Sequence, residues 1–345
     1  MRLYDARAWL IWLLAGGLLA ITAGNPLYLI LLLVISRLVQ YACAPLASPG
    51  WRLPFWRIAV MILLFSTIFN FLTAHFGETV LHTLPAGWPL IGGPLTFEAA
   101  VYGFINGLRL VTMLSFFLAF NTIVPVSDLA GLTPRALHEL GLVMLIAITY
   151  IPETIRQFRR IRDAQAIRGH QLNGLRAWRP VLIPLLIAGL ERALNLAETM
   201  VARGYGSTDH VGMPRRVRAA LLFGLLLILG GGLRLAWRGV DGWLLLVAGL
   251  LVVALSYHHL SRRVVRTRYR PRNWTVGDTF VILGALISLL PLLPWPSQEL
   301  TGLAYTPYPR LHLPPFVLMV GLALLGLAAP AIPILVGRPA LENAI

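Results

Sequence analysis

Long apolar stretches separated by short polar turns dominate this chain. A helix that crosses a bilayer needs about 20 predominantly apolar residues. Eight stretches reach or approach that length: 9–23, 27–41, 55–74, 99–124, 219–237, 243–258, 277–293 and 315–336. The first two are short for spans and share a tight turn at Asn25-Pro26. Trp9, Trp12, Trp237, Trp243, Trp274 and Trp295 fall at or near the predicted ends, where amphipathic rings favour the membrane interface. Two further apolar runs, 140–151 and 181–190, are too short to span, the second being interrupted by Glu191 and Arg192. Runs of that length suit buried or interfacial helices.

Arginine placement tests this count independently. With eight crossings, one side receives Arg2 and Arg7, Arg52 and Arg57, all of 125–218, the cluster from Arg262 to Arg272, and Arg338. The opposite loop 75–98 contains no Arg, and 295–313 contains only Arg310. Basic loops stay in the cytoplasm, so both termini and the 125–215 segment are expected there. The pattern therefore predicts an all-α, polytopic membrane bundle of about eight spans with a cytoplasmic domain of crossed amphipathic helices. Its parts are 1–124, 125–215 and 216–345.

Composition agrees with a membrane protein and narrows the chemistry. Of the 345 residues, 57% are hydrophobic and 12% charged, whereas a soluble domain carries about 25% charged residues. The formal charge is +15, and all 29 basic residues are Arg. Without Lys the chain has no Walker A loop to hold nucleotide phosphates and no Schiff-base chemistry. The single Cys43 excludes intramolecular disulfides and thiolate metal clusters.

The middle segment is charged and helical in pattern. Thr133-Pro134 marks a helix start, with Thr as N-cap and Pro at the first helical position. The helix should kink or end at Ile151-Pro152. Beyond it, Ile155, Phe158, Ile161 and Ala164 form a stripe that winds around the helix, because a three-residue step lags the 3.6-residue turn. A second helix over 181–203 places Glu191, Asn195 and Glu198 on one face and Leu190, Leu194, Ala197 and Val201 on an adjacent one. Both helices close on Arg-Gly, as Ile167-Arg168-Gly169 and Ala202-Arg203-Gly204. Glycine just past a helix end adopts the left-handed conformation that terminates it, and the negative end of the dipole favours the preceding cation. The guanidinium then projects from a blunt tip, suited to bind carboxylates or carbonyls in a partner's groove. The plainer reading is an efficient helix stop, used twice.

Other polar residues divide between structure and function. Arg109, with Asn106 one turn earlier, lies deep in the 99–124 span, where a charge is costly and marks a functional site by default. The alternative is a structural hydrogen bond to a neighbouring helix. Glu98 is expected to be solvated at the outer interface. His75, His82 and His258-His259 have no spacing that forms a metal coordination set. The 262–272 cluster suits anionic lipid headgroups better than nucleic acid.

Taken together, these motifs resemble the transmembrane (T) components of energy-coupling factor transporters, the family of the cobalt-transport permease subunits. The matching features are the Gly24-Asn25-Pro26-Leu27 turn, the long 99–124 helix, the Pro125-Val126-Ser127-Asp128-Leu129 turn and the paired Arg-Gly signatures. The second signature matches the family's Ala-Arg-Gly in full; the first departs at Ile167. The resemblance covers about residues 1–237 and implies that Arg168 and Arg203 seat in grooves on two ABC-type ATPase subunits. It implies a membrane-embedded, substrate-binding S component as third partner. It further implies no cofactor in this chain, ATP and Mg being bound by the ATPases, and uptake of a vitamin or transition-metal ion across a prokaryotic plasma membrane. Members usually end after one span beyond the second signature, and three more follow here. Two rivals are a membrane-embedded lipid-linked transferase, drawing on Asp128, His138 and Glu139, and an ordinary ABC permease that binds substrate itself.

Overall fold

A computed structural model describes residues 4–44, 54–85, 92–132, 138–169, 178–205, 215–236, 242–263, 274–292 and 302–332. The Thr133-Pro134 helix start, Trp237, Trp295, Arg338, the basic run after Arg263, and the side chains of His138, Glu139, His258 and His259 lie outside the described residues. Among the described residues, the regular structure is helical apart from one two-stranded hairpin. By contacts it divides into two units, residues 1–129 with 270–345, and residues 130–269.

In the first unit, α1 (Ala6–Thr22) and α2 (Pro26–Cys43) are joined by the Asn25 turn, followed by α3 (Phe55–Thr73). Strands β1 (Val80–Thr83) and β2 (Pro94–Thr96) pair antiparallel and lead into α4 (Phe97–Ile123) and the short α5 (Val126–Gly131). Helix α4 is the centre, packing on α1, α2 and α3. Gly16 of α1 leaves space for the Phe116 ring, which also meets Trp12 at 4.9 Å. Ser36 and Ser115 share a 2.6 Å hydrogen bond between α2 and α4. Gly103 and Gly107 let α3 approach: a Cβ on Gly103 would lie 2.6 Å from the Ser66 carbonyl. Small residues four apart are the usual means of close helix contact in lipid.

Glu98 departs from the expectation of a solvated acid. It is fully buried in the first turn of α4, and its carboxylate accepts from the Thr79 hydroxyl at 2.6 Å and the Thr79 N–H at 3.1 Å. The hairpin folds over it, and the positive end of the helix dipole favours an acid there.

The same unit contains the C-terminal elements α10 (Val276–Ser288), a 3-10 turn (Leu290–Leu292), α11 (Leu318–Leu324) and a 3-10 segment (Leu325–Ala331). The described parts of the apolar runs 277–293 and 315–336 thus each contain both α-helix and 3-10 helix. Pro291 and Pro330 remove N–H donors there, and Gly284 meets Gly326 backbone to backbone. Between them, residues 302–317 run without regular structure along the Asn25 turn.

In the second unit, α6 (His138–Ile167) and α7 (Arg179–Ala202) precede α8 (Arg215–Ala236) and α9 (Gly242–Arg263). Pro152 does not end α6, which continues for 30 residues with the proline inside. The loss is one hydrogen bond to the Ile148 carbonyl, and Tyr150 and Glu153 on either side are anchored on α7. Helices α8 and α9 pack through two glycine pairs: a Cβ on Gly249 would lie 2.8 Å from the Gly224 carbonyl, and one on Gly242 2.8 Å from the Gly231 carbonyl. The seven-residue spacing on each helix repeats one face, so the pairs lie along a single seam.

Among the described residues, five helices are long and apolar enough to cross a membrane: Pro26–Cys43, Phe55–Thr73, Phe97–Ile123, Arg179–Ala202 and Arg215–Leu235. Four of the eight predicted spans are among them, and the other four correspond to shorter apolar helices. Arg179–Ala202 is the addition: the expected 181–203 helix is long and apolar enough when taken whole, although its 181–190 run alone is not.

The glycine seam gives a direct test. Gly249→Leu is expected to destabilise the chain by about 1–3 kcal/mol through overpacking, read as a lowered thermal midpoint in detergent. Gly230→Leu, where a Cβ meets no atom within 4 Å, is expected to leave that midpoint unchanged.

Candidate functional site

The two Arg-Gly helix ends are built alike. Gly169 has φ +77° and Gly204 φ +78°, left-handed backbone that favours glycine. At the end of α7 the Tyr205 N–H donates to the Met200 carbonyl and the Gly204 N–H to the Val201 carbonyl, both at 2.9 Å. These two bonds are the complete Schellman arrangement. At the end of α6 the Gly169 N–H makes the corresponding bond to the Ala166 carbonyl at 3.0 Å. The caps close the last turns on themselves, so each helix stops bluntly and its arginine stands outside the backbone bonding.

Arg168 and Arg203 are both exposed, and among the described residues neither guanidinium has an ion-pair partner. Other arginines on these helices are engaged: Arg156 and Arg192 with Glu153, and Arg162 with Asp163. The signatures differ at the position before the arginine. Ala202 is small, while Ile167 is 88% exposed and adds an apolar knob to the first tip.

Contacts between the helices fix where the tips lie. Arg192 of α7 reaches Glu153 at 3.3 Å, its carbonyl accepts from the Tyr150 hydroxyl at 3.2 Å, and its guanidinium lies over the Tyr150 ring. Towards the other end, Gln165 donates to the Pro180 carbonyl at 3.3 Å and Phe158 stacks on Trp178. As α6 advances from 150 to 165, its neighbour on α7 recedes from 192 to 180, so the pair is antiparallel. The Arg168 tip therefore lies by the start of α7 and the Arg203 tip at its far end. Helix α7 has 24 residues, about 36 Å of helix.

The Tyr150–Glu153–Arg192 node was not visible in the sequence, where Arg192 reads only as an interruption of an apolar run. Tyr150 and Glu153, three apart on α6, were its sole signal. Glu191, Asn195 and Glu198 are exposed along α7 and take no part in holding the pair together. In the other unit, Arg109 donates from Nε to the Ala23 carbonyl at 3.3 Å, the last turn of α1 supplying its acceptor. Asn106 is half-buried one turn earlier and shares no hydrogen bond with it. Among the described residues no group of three His, Cys, Asp or Glu side chains could hold a metal ion.

The sequence model of the CbiQ family, described as "Cobalt transport protein", matches residues 1–213, a stretch that contains both Arg-Gly tips. The chain belongs to this family. Curated relatives carry the name "Energy-coupling factor transporter transmembrane protein EcfT". That of Lactococcus lactis subsp. cremoris is 31% identical over 169 residues, 44% of this chain and 61% of the relative. That of Acidaminococcus fermentans is 31% identical over 194 residues, 51% and 68% respectively. That of Bacillus selenitireducens is 31% identical over 155 residues, 38% and 56%. The matched stretches thus span between half and about two-thirds of the relatives' own length. In this CbiQ-family chain, α8 onward lies beyond the family match.

Glycine at the caps can be tested without a partner. Gly204→Ala is expected to cost roughly 1–2 kcal/mol of local stability, because an L side chain resists the left-handed region. Amide exchange in the last turn of α7 should accelerate about five- to thirty-fold. Gly204→Asn, which tolerates that conformation, should exchange nearly as the wild type does.

Proposed function

We propose that this chain is the transmembrane coupling subunit of an energy-coupling factor importer. It joins two ABC-type ATPase subunits to a membrane-embedded S component that binds the vitamin or transition-metal ion to be taken up. One observation carries this reading: two helix ends, each closed by a left-handed glycine and each presenting an arginine with no ion-pair partner among the described residues, lie at opposite ends of one antiparallel pair. A coupling subunit needs no catalytic group and binds no nucleotide, and ATP with Mg resides in the partners. It needs stiff arms with well-defined tips, and a left-handed glycine closes each tip while the Arg192–Glu153–Tyr150 node ties the arms together.

In this reading each guanidinium enters a groove on one ATPase and donates to carboxylates or carbonyls there. When ATP draws the ATPases together, both tips are displaced, and the tied helix pair passes the displacement on as a tilt that reorients the S component. The plasma membrane of a prokaryote, with both termini of the chain cytoplasmic, is the corresponding location.

Detergent co-purification of the tagged chain from its native membranes, followed by mass spectrometry, tests the proposal. Two ATPases and a small hydrophobic protein are expected to accompany it. Arg203→Glu should abolish ATPase recovery, since removing one partner of a desolvated charge contact costs about 2–5 kcal/mol, while membrane insertion is unchanged. Arg168→Glu should weaken recovery as well. Recovery of the chain without any ATPase, or undiminished recovery with Arg203→Glu, would show the coupling assignment to be wrong.

A further inference from the structure

We infer that the C-terminal segment, residues 274–292 and 302–332, is a built-in membrane partner of α1 and α2. It permanently fills their shared face and closes it to lipid and to other subunits. The inference concerns elements beyond the family match and does not depend on the coupling reading.

Except at Val317, the donors come from Tyr4, α1, α2 and the turn between the helices, and the acceptors are backbone carbonyls of the C-terminal segment. The Tyr4 hydroxyl and the Cys43 thiol both donate to the Pro330 carbonyl, at 3.1 and 3.5 Å. Trp12 Nε1 donates to Leu327 at 2.8 Å. Asn25 Nδ2 donates to Gly302 at 2.9 Å and to Pro315 at 2.6 Å. The Gly24 and Asn25 N–H groups donate to Leu303 at 2.8 and 3.2 Å. Tyr28 accepts from the Val317 N–H at 2.8 Å.

These acceptors lie where the C-terminal backbone is not α-helical, in 302–317 and the 3-10 segment Leu325–Ala331, where Pro330 supplies no N–H to the Leu327 carbonyl. Neither set tolerates lipid: unpaired donors and non-helical carbonyls are both costly in hydrocarbon. Each supplies what the other lacks, at both ends of the face and in its middle.

Packing and charge agree. Trp12, Tyr28, Leu29 and Leu32 are fully buried. Gly24 leaves room for residue 305, since a Cβ there would stand 3.0 Å from the Tyr305 backbone. At the start of α10 the buried Asp278 completes a capping box with Thr275 and also accepts from the Asp5 N–H at 2.6 Å, joining the caps of α1 and α10. The 302–317 segment then crosses to the hairpin. There Arg310 pairs with Glu78 at 2.5 Å, and Tyr308 packs on Phe76 and Tyr102. Burial, then the neighbouring Tyr102, raises the Tyr308 hydroxyl above the ordinary tyrosine range.

The test uses the full chain with a protease site placed within 264–273, cut after purification in mild detergent, and Cys43 as the reporter. The two pieces of the wild-type chain are expected to elute together, with Cys43 as protected from a maleimide as in the uncut protein. In Trp12→Phe combined with Asn25→Ala, cutting should release the C-terminal piece and raise Cys43 labelling at least tenfold. Separation of the wild-type pieces, or rapid Cys43 labelling in the uncut wild type, would overturn the inference without any variant. Retention of the piece with full Cys43 protection in the double variant would overturn the role given to the carbonyl contacts.

Discussion

A peptide group held away from water must find its hydrogen-bond partner within the protein, and this chain is arranged around that requirement. The α-helices satisfy it internally. Everything informative happens where they cannot: at helix ends, at prolines, and in the irregular stretch 302–317. In each place, the answer is a specific donor or a specific glycine. Asn25 caps α2 with its side-chain oxygen and uses both amide hydrogens on carbonyls nearly 300 residues away in sequence. Thr79 covers the Glu98 carboxylate at the start of α4, and Arg109 adds a donor to the carbonyl of Ala23.

The same requirement shapes the Arg-Gly tips. A helix end normally leaves carbonyls in search of donors, and a side chain can be drawn back to serve them. The left-handed glycine removes that need by turning the backbone so that its own N–H groups do the work. The arginine beside it is thereby released from capping. The cost falls on one residue that only glycine occupies easily, and the gain is an unattached five-donor group at a fixed place.

Features set by neighbouring residues were legible in the sequence; features set by distant ones were not. The apolar helices and the paired caps could be read directly, because hydrophobic periodicity and left-handed glycine are local properties. The end of α7 fell within one residue of its expected position for that reason. Of the two outcomes expected at Pro152, ending the helix did not occur, because the local cost of a proline was outweighed by anchors on another helix. Glu98 misled because its acceptor sites are filled by Thr79, 19 residues earlier, across a hairpin that apolar patterning does not signal. The glycine pairs 224 with 249 and 231 with 242 were invisible singly; only their equal seven-residue spacing on two helices marks a seam. The Asn25-Pro26 turn was recognised as a family mark, yet its second role needed the C-terminal carbonyls to be in place.

The antiparallel pair also decides what its two tips can have in common. They share a backbone cap, a guanidinium and exposure, so any surface that binds only those features meets the same object twice. They differ at one side chain, Ile167 against Ala202. Ile167 stands almost fully exposed, and burying such a chain against a partner is worth about 1.5–3 kcal/mol. That is comparable with a hydrogen bond to a charged group, so the residue before the arginine is large enough to make one end bind differently from the other. The departure from Ala therefore leaves the cap intact and changes the surface. It is what separates two otherwise interchangeable ends of one helix pair.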